Sequence, residues 1–101
     1  MLNHLTVSGV LIEREDFTWP ERVLLSYLIS CELYPNGYFL PIKSAMSLLK
    51  IDFSAFEGLR EKGILEISKD RRTYEVDFCP VIQAHMVDPE TIKRLRQRFE
   101  C

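Results

Sequence analysis

Three of the four positions from 69 to 72 are basic: Lys69, Arg71 and Arg72. A compact cationic spot of this kind is either a solvated charged face or a contact for phosphate oxygens, to which each guanidinium or ammonium supplies charge and several N–H donors together. A second basic set, Lys93, Arg94, Arg96 and Arg98, lies near the C-terminus. Its simplest reading is a solvated face, since arginine stems also cover apolar surface. Acidic groups are equally concentrated, at Glu13, Glu15 and Asp16 and again at Glu57 and Glu61. The first of these groups reads as a charged segment between elements, not as an acid pair in a cleft. No Ser/His/Asp or Cys/His grouping stands in a sensible context, and the four glycines form no phosphate-cradling loop. The three cysteines, Cys31, Cys79 and Cys101, are odd in number and contain no C-x-x-C pair. His4 and His85 are far apart and lack ligand-like neighbours. Trp19 and Tyr34 read as core or rim aromatics, not as a ligand cage. The expectation is therefore a protein that is not an enzyme, with no metal and no cofactor.

The 101 residues suffice for one domain, spanning 1–101, and for a core that needs no metal or disulfide staple. Apolar residues make up 47% and charged residues 28%, which excludes disorder and collagen-like repeats. The formal net charge is −2, from 13 basic and 15 acidic side chains, whereas a domain holding nucleic acid by bulk charge is usually basic. That number sums opposed clusters, so their placement matters more than their total. No uninterrupted apolar stretch approaches the length of a membrane span, and the N-terminus lacks the basic-then-apolar order of a signal peptide. A reducing cytoplasm is the default compartment.

Several elements must position these groups. Residues 5–12, with branched Val7, Val10 and Ile12, predict a strand, bent at Gly9. Thr18 and Glu21 have capping-box spacing, Pro20 falls in the first turn, and Phe17 can pack back as a staple on Arg22 or Val23. A helix then runs to about Tyr34 and stops at Pro35-Asn36-Gly37. It is apolar around most of its circumference, with only Arg22, Ser26 and Ser30 forming a polar line. Such a helix is buried on more than one side, as the central helix or in a subunit interface. Tyr38-Phe39-Leu40 is a short extended piece. Ile42, Ala45, Met46 and Leu49 mark one face of a two-turn helix over 42–49. Asp52 caps a third helix, which runs to about Lys62 and ends at Gly63, with Phe53, Phe56 and Leu59 facing inward. Residues 64–67 and 73–78 form a hairpin, with Tyr74, Val76 and Phe78 on one face and Glu75 and Asp77 on the other. Asp88 and Pro89 start a last helix, lined by Ile92, Leu95 and Phe99.

A short helix, a tight turn, a second helix and a hairpin follow one another. The stretch from Leu25 to Phe78 resembles the winged helix-turn-helix domains of bacterial and phage regulators and replication initiators. The residues that carry the resemblance are the Gly-Tyr-Phe-Leu-Pro run at 37–41, the helix from Ala45 to Leu49, Ile51 before the turn, and Leu59-Arg60-Glu61-Lys62-Gly63-Ile64-Leu65. The fold it implies is α+β and mainly helical: an N-terminal strand, three helices, a hairpin wing and a C-terminal helix. The core would span 17–79, with the helix at about 88–100 as a packing or dimerisation element.

In that family the third helix enters the major groove and the wing touches the backbone. Carried over by position, the groove-facing residues are Ser54, Ala55, Glu57, Gly58 and Glu61. The basic residues of that helix are Arg60 and Lys62. Lys43, Ser44 and Ser47 are placed to contact backbone, as are Lys69, Arg71 and Arg72 at the wing tip. The resemblance implies a double-stranded DNA-binding protein, a small transcriptional or replication regulator. A homodimer through the first and last helices would double its phosphate contacts. Glu57 and Glu61 put negative charge on the reading face, which favours an alternative: a winged helix used as a protein–protein interaction adaptor without DNA binding.

Overall fold

In a computed structural model, which describes residues 7, 9–33 and 39–99, the long helix α2 (Trp19–Leu33) is the central element. Its start is the capping box that the spacing predicts. The Thr18 N–H donates to Glu21 Oε1 at 2.9 Å, and the Glu21 N–H donates to Thr18 Oγ1 at 3.4 Å. Leu24, Leu25, Tyr27, Leu28 and Ile29 are all buried within the one chain. A fully buried leucine contributes about 1.5–3 kcal/mol, so this helix anchors the core. Of the expected polar line, Ser26 is itself buried, and its hydroxyl donates to the Arg22 carbonyl at 2.8 Å. The near-continuous apolar circumference is thus consumed internally, which is the central-helix reading.

Around α2 stand α3 (Ile42–Leu49) and α4 (Phe53–Glu61). α3 buries Ile42 and Ala45 and stops at Lys50, whose φ of 57° is left-handed. The Ile51 N–H then bonds back to the Met46 carbonyl at 3.1 Å. Asp52 caps α4 as expected, accepting from the Ser54 N–H at 3.2 Å. Ala55, Phe56 and Leu59 are buried. α4 closes at Gly63 (φ 76°), where the Ile64 N–H reaches the Leu59 carbonyl at 3.0 Å. A left-handed residue at this step favours glycine.

The hairpin pairs β1 (Leu65–Ile67) antiparallel to β2 (Tyr74–Val76). Leu65 lies opposite Val76, Glu66 opposite Glu75 and Ile67 opposite Tyr74. Both strands are shorter than the alternation predicts, but the faces are as read: Glu75 and Asp77 are exposed and Phe78 is buried. Two bonds tie the hairpin and the α2–α3 connection to the body. The Ile42 N–H donates to the Arg72 carbonyl at 3.0 Å, and the Leu40 N–H donates to the Tyr27 hydroxyl at 3.1 Å. Phe39 and Leu40 are not paired as a strand. A run of rings, Phe39–Tyr74–Phe56–Phe53, with centroids 6.1, 5.3 and 6.3 Å apart, packs β2 onto α4.

The fold is therefore α+β and mainly helical, with six helices and one two-stranded sheet among the described residues. Three expectations need correction or qualification. The N-terminal strand is contradicted over its second half, because Gly9–Ile12 form a helical turn, α1. The Glu13 N–H bonds to the Gly9 carbonyl at 3.3 Å, and Leu11 is fully buried. Burial of Leu11 outweighs the weak β preference of Val10 and Ile12. Leu5, Thr6 and Ser8 of that stretch lie outside the described residues, as do Tyr34 to Tyr38, His4 and Cys101. After the hairpin, Cys79–Gln83 form an unanticipated helix, α5. Its Cys79 N–H donates to Asp77 Oδ1 at 3.0 Å, Pro80 sits in its first turn, and Val81 and Ile82 enter the core.

The last helix, α6 (Pro89–Arg98), starts as predicted, with Asp88 accepting from the Thr91 N–H at 3.1 Å. Its apolar stripe is also spent inside the chain. Leu95 is fully buried, and Phe99 lies 5.4 Å from Phe78. Arg98 pairs with Glu32 of α2 at 3.7 Å. The apolar stripes of the first and last long helices, which motivated a dimer through them, are thus covered by the chain itself. No helix among the described residues is long and apolar enough to cross a membrane.

Candidate functional site

The described residue types converge best between α4 and the hairpin tip. The tip, residues 68–73, is a tight turn held by its own polar groups. The Ser68 N–H donates to the Thr73 carbonyl at 3.0 Å, and the Arg71 N–H donates to the Ser68 carbonyl at 3.0 Å. Ser68 Oγ donates to Asp70 Oδ1 at 2.6 Å and accepts from the Thr73 N–H at 3.1 Å. The Arg72 N–H adds a bond to Asp70 Oδ1 at 3.1 Å. The Ser68 hydroxyl and the Arg72 amide hold the Asp70 carboxyl below the usual range, so Asp70 is committed to the turn. Arg71 takes a left-handed φ of 58°, which turns its side chain at the apex.

That side chain returns toward α4. The Arg71 guanidinium lies over the Phe53 ring, 5.4 Å from its centroid. Together with Arg60, Lys69 and Glu57, these two line a groove of about 240 Å³, floored by Ile67 and Ser68. Among the described residues, none of Arg60, Lys69, Arg71 and Arg72 enters an ion pair. Three cations therefore face one concavity with a single carboxylate, Glu57, among them. Such an arrangement attracts an anion larger than a single carboxylate, and its donors suit phosphate oxygens.

The eight residues singled out by sequence divide clearly. Arg60, Lys69 and Arg71 come together in the groove. Arg72 is exposed beside them, its carbonyl bonded to the first residue of α3. Lys43 and Ser44 are exposed on α3. Ser54 is exposed at the start of α4, with its hydroxyl bonded to Asp52. Lys62 is differently engaged: its Nζ donates to Glu21 Oε1 at 3.0 Å and lies 5.1 Å from the Phe17 ring centroid. It closes the capping box of α2 and takes no part in the groove.

Two residues expected on the outer face of α4 do not lie there. Ala55 is fully buried. Gly58 faces α2, where a Cβ would come within 1.7 Å of Glu21 Oε2. The outer face of α4 is instead Ser54, Glu57, Arg60 and Glu61, flanked by half-buried Phe53. Sequence reasoning assigned Phe53 wholly to the core. Its dual role shows in the sequence only as its position in the first turn of α4, where no preceding helical turn lies under the ring.

A second depression, of about 270 Å³, lies on the other side of the hairpin and includes Glu66, Glu75 and Asp77. The hairpin thus carries cations at its tip and carboxylates along its outer face. Compared with protein-family models, curated proteins and solved structures, the chain matches none.

Proposed function

We propose that the chain is a small DNA-binding protein of the winged-helix kind, a transcriptional or replication regulator, in which α4 and the hairpin tip hold duplex DNA. The observation that carries this reading is the groove where Arg60, Lys69 and Arg71 converge without ion-pair partners among the described residues. Helix α4 follows α3 after a three-residue turn and the hairpin follows α4, the order in which winged helices present a groove-reading helix beside a backbone-touching wing. Lys43, Ser44 and Arg72 extend the polar surface beside that groove, and Ser54 adds a hydroxyl at the start of α4. Affinity then rests on phosphate contact and falls steeply with salt, since each neutralised phosphate contributes a slope of about −0.9 in log K against log salt.

Fluorescence anisotropy with labelled duplex DNA at low salt tests the proposal. Wild type is expected to bind, and Arg71→Ala/Arg72→Ala to bind several-fold more weakly. Equal, negligible binding by both would remove the DNA reading.

A second reading, a protein-interaction adaptor, is favoured by one observation. Glu57 stands inside the groove, and Glu66, Glu75 and Asp77 line the outer hairpin face. Recovery of one stoichiometric partner with a basic surface, by a protein with no DNA affinity, would select it.

A further inference from the structure

Phe53, Glu57 and Arg60 follow one another at helical spacing on α4, so their side chains line one face of that helix. All three border the groove that Lys69 and Arg71 close from the hairpin tip. Phosphate contact leaves two features of this groove unused. The first is Glu57, a half-buried carboxylate that enters no ion pair and accepts no hydrogen bond among the described residues. It weakens the groove for a plain anion, because like charges repel. The second is the half-buried Phe53 ring, over which the exposed Arg71 guanidinium lies 5.4 Å from the centroid. A guanidinium in that place stacks as readily on a flat ligand as on the ring itself.

A ligand that satisfies all five side chains has three parts. It carries a flat aromatic ring for Phe53, adjacent N–H donors for Glu57 and an anionic group for the cations. We infer that the groove binds a guanine nucleotide whose base is unpaired. An ionised carboxylate only accepts hydrogen bonds, and its two oxygens match two parallel donors. Guanine presents N1–H and the N2 amino group side by side on its Watson–Crick edge. Cytosine and adenine present an amino group beside a ring-nitrogen lone pair, and thymine and uracil present one N–H between two carbonyls. Each of these sets an acceptor against a carboxylate oxygen, so Glu57 selects guanine. The base stacks on Phe53 with its edge toward Glu57, one helical turn along α4. Arg60, Lys69 and Arg71 hold the phosphate. A guanine inside a duplex has its Watson–Crick edge in use, so this ligand differs from the duplex proposed above. The site is the same and the cations are shared, but the inference stands without duplex binding.

Calorimetric titration of the full chain with GMP, AMP, CMP and UMP at low salt tests it, with inorganic phosphate as the control. GMP should bind about tenfold more tightly than the other three, as one bidentate pair provides. Glu57→Gln is the most telling variant. It removes a negative charge from the groove, so a site built on charge alone would bind every nucleotide more tightly. The expected result is that GMP weakens by about tenfold while AMP stays level or tightens. Phe53→Leu should weaken all four nucleotides and leave phosphate unaffected, with far-UV circular dichroism verifying that each variant is folded. A short thymidine strand with one guanine, compared with the all-thymidine strand, separates the two sources of the ligand. A strand preferred far above GMP assigns an unpaired guanine in a nucleic acid, and GMP bound as tightly as the strand assigns a free nucleotide. Duplex binding is measured on the same samples, so failure of either reading shows separately. Two results would overturn the inference. One is no preference for GMP over AMP, or for the guanine-bearing strand, up to about 1 mM ligand. The other is a guanine preference that Glu57→Gln leaves intact.

Discussion

Gly58 shows how one atom can reverse a propensity rule. In an exposed helix interior, alanine is favoured over glycine by roughly 0.5–1 kcal/mol. At Gly58 the added Cβ meets Glu21 Oε2 at 1.7 Å. That carboxylate cannot swing aside cheaply, because it is buried and accepts from the Thr18 N–H and from Lys62 Nζ. Gly58→Ala should therefore destabilise the fold by roughly 1–3 kcal/mol, as overpacking does, read as a lower midpoint in urea unfolding. Tyr74 presents the opposite case. Its ring packs between Phe39 and Phe56, but its buried hydroxyl has no hydrogen-bond partner among the described residues. Burial also pushes its pKa above the ordinary tyrosine value, keeping the phenol neutral. Tyr74→Phe keeps the packing and removes an unsatisfied group, so stability should stay level or rise by up to about 1 kcal/mol. Tyr74→Ala should cost about 3 kcal/mol by the same unfolding measurement.

The helix ends are where sequence and structure agree most closely. Thr18/Glu21, Asp52 and Asp88 are local signals: a side chain within three residues satisfies an orphan N–H, and no distant contact is needed to read it. Removing the Asp88 cap, as Asp88→Ala, should cost about 1 kcal/mol of stability. The Thr91 hydroxyl holds the Asp88 carboxyl below its usual pKa, and the Arg14 guanidinium lowers Asp16 to about 2. A depressed folded-state pKa adds stability above the unfolded value, near 4, and that contribution is lost as pH falls toward the folded value. Thermal midpoints should therefore drop between about pH 4 and pH 2, with a shallower drop in Asp88→Ala. In the hairpin, Glu66 lies directly opposite Glu75. Replacing one like charge, as Glu75→Lys, should raise stability by roughly 0.2–1 kcal/mol in thermal unfolding. What sequence could not reveal depends on partners distant in the chain. The helical turn at α1 is decided by a core pocket for Leu11, and the inward turn of Gly58 is decided by Glu21 on another helix. α5 was hidden because its apolar pair, Val81 and Ile82, is too short to show a period.

At the scale of the whole molecule, the net charge of −2 resolves into separate faces. Cations gather at the α4–hairpin groove and along α6, and carboxylates gather on the outer hairpin face and at residues 13–16. The cationic spot at 69–72 was legible as three basic residues in a turn. Its union with Arg60 and Phe53 was not, because it depends on the left-handed Arg71 and on the ring packing that lays the hairpin against α4. The central claim is that this groove holds DNA through phosphates. Its most direct test is the slope of log K against log salt for duplex binding, compared between wild type and Arg60→Ala/Lys69→Ala/Arg71→Ala. The expected result is weaker binding and a slope shallower by about 2 to 3 units, one for each lost phosphate contact. An unchanged affinity and an unchanged slope in the triple variant would contradict it.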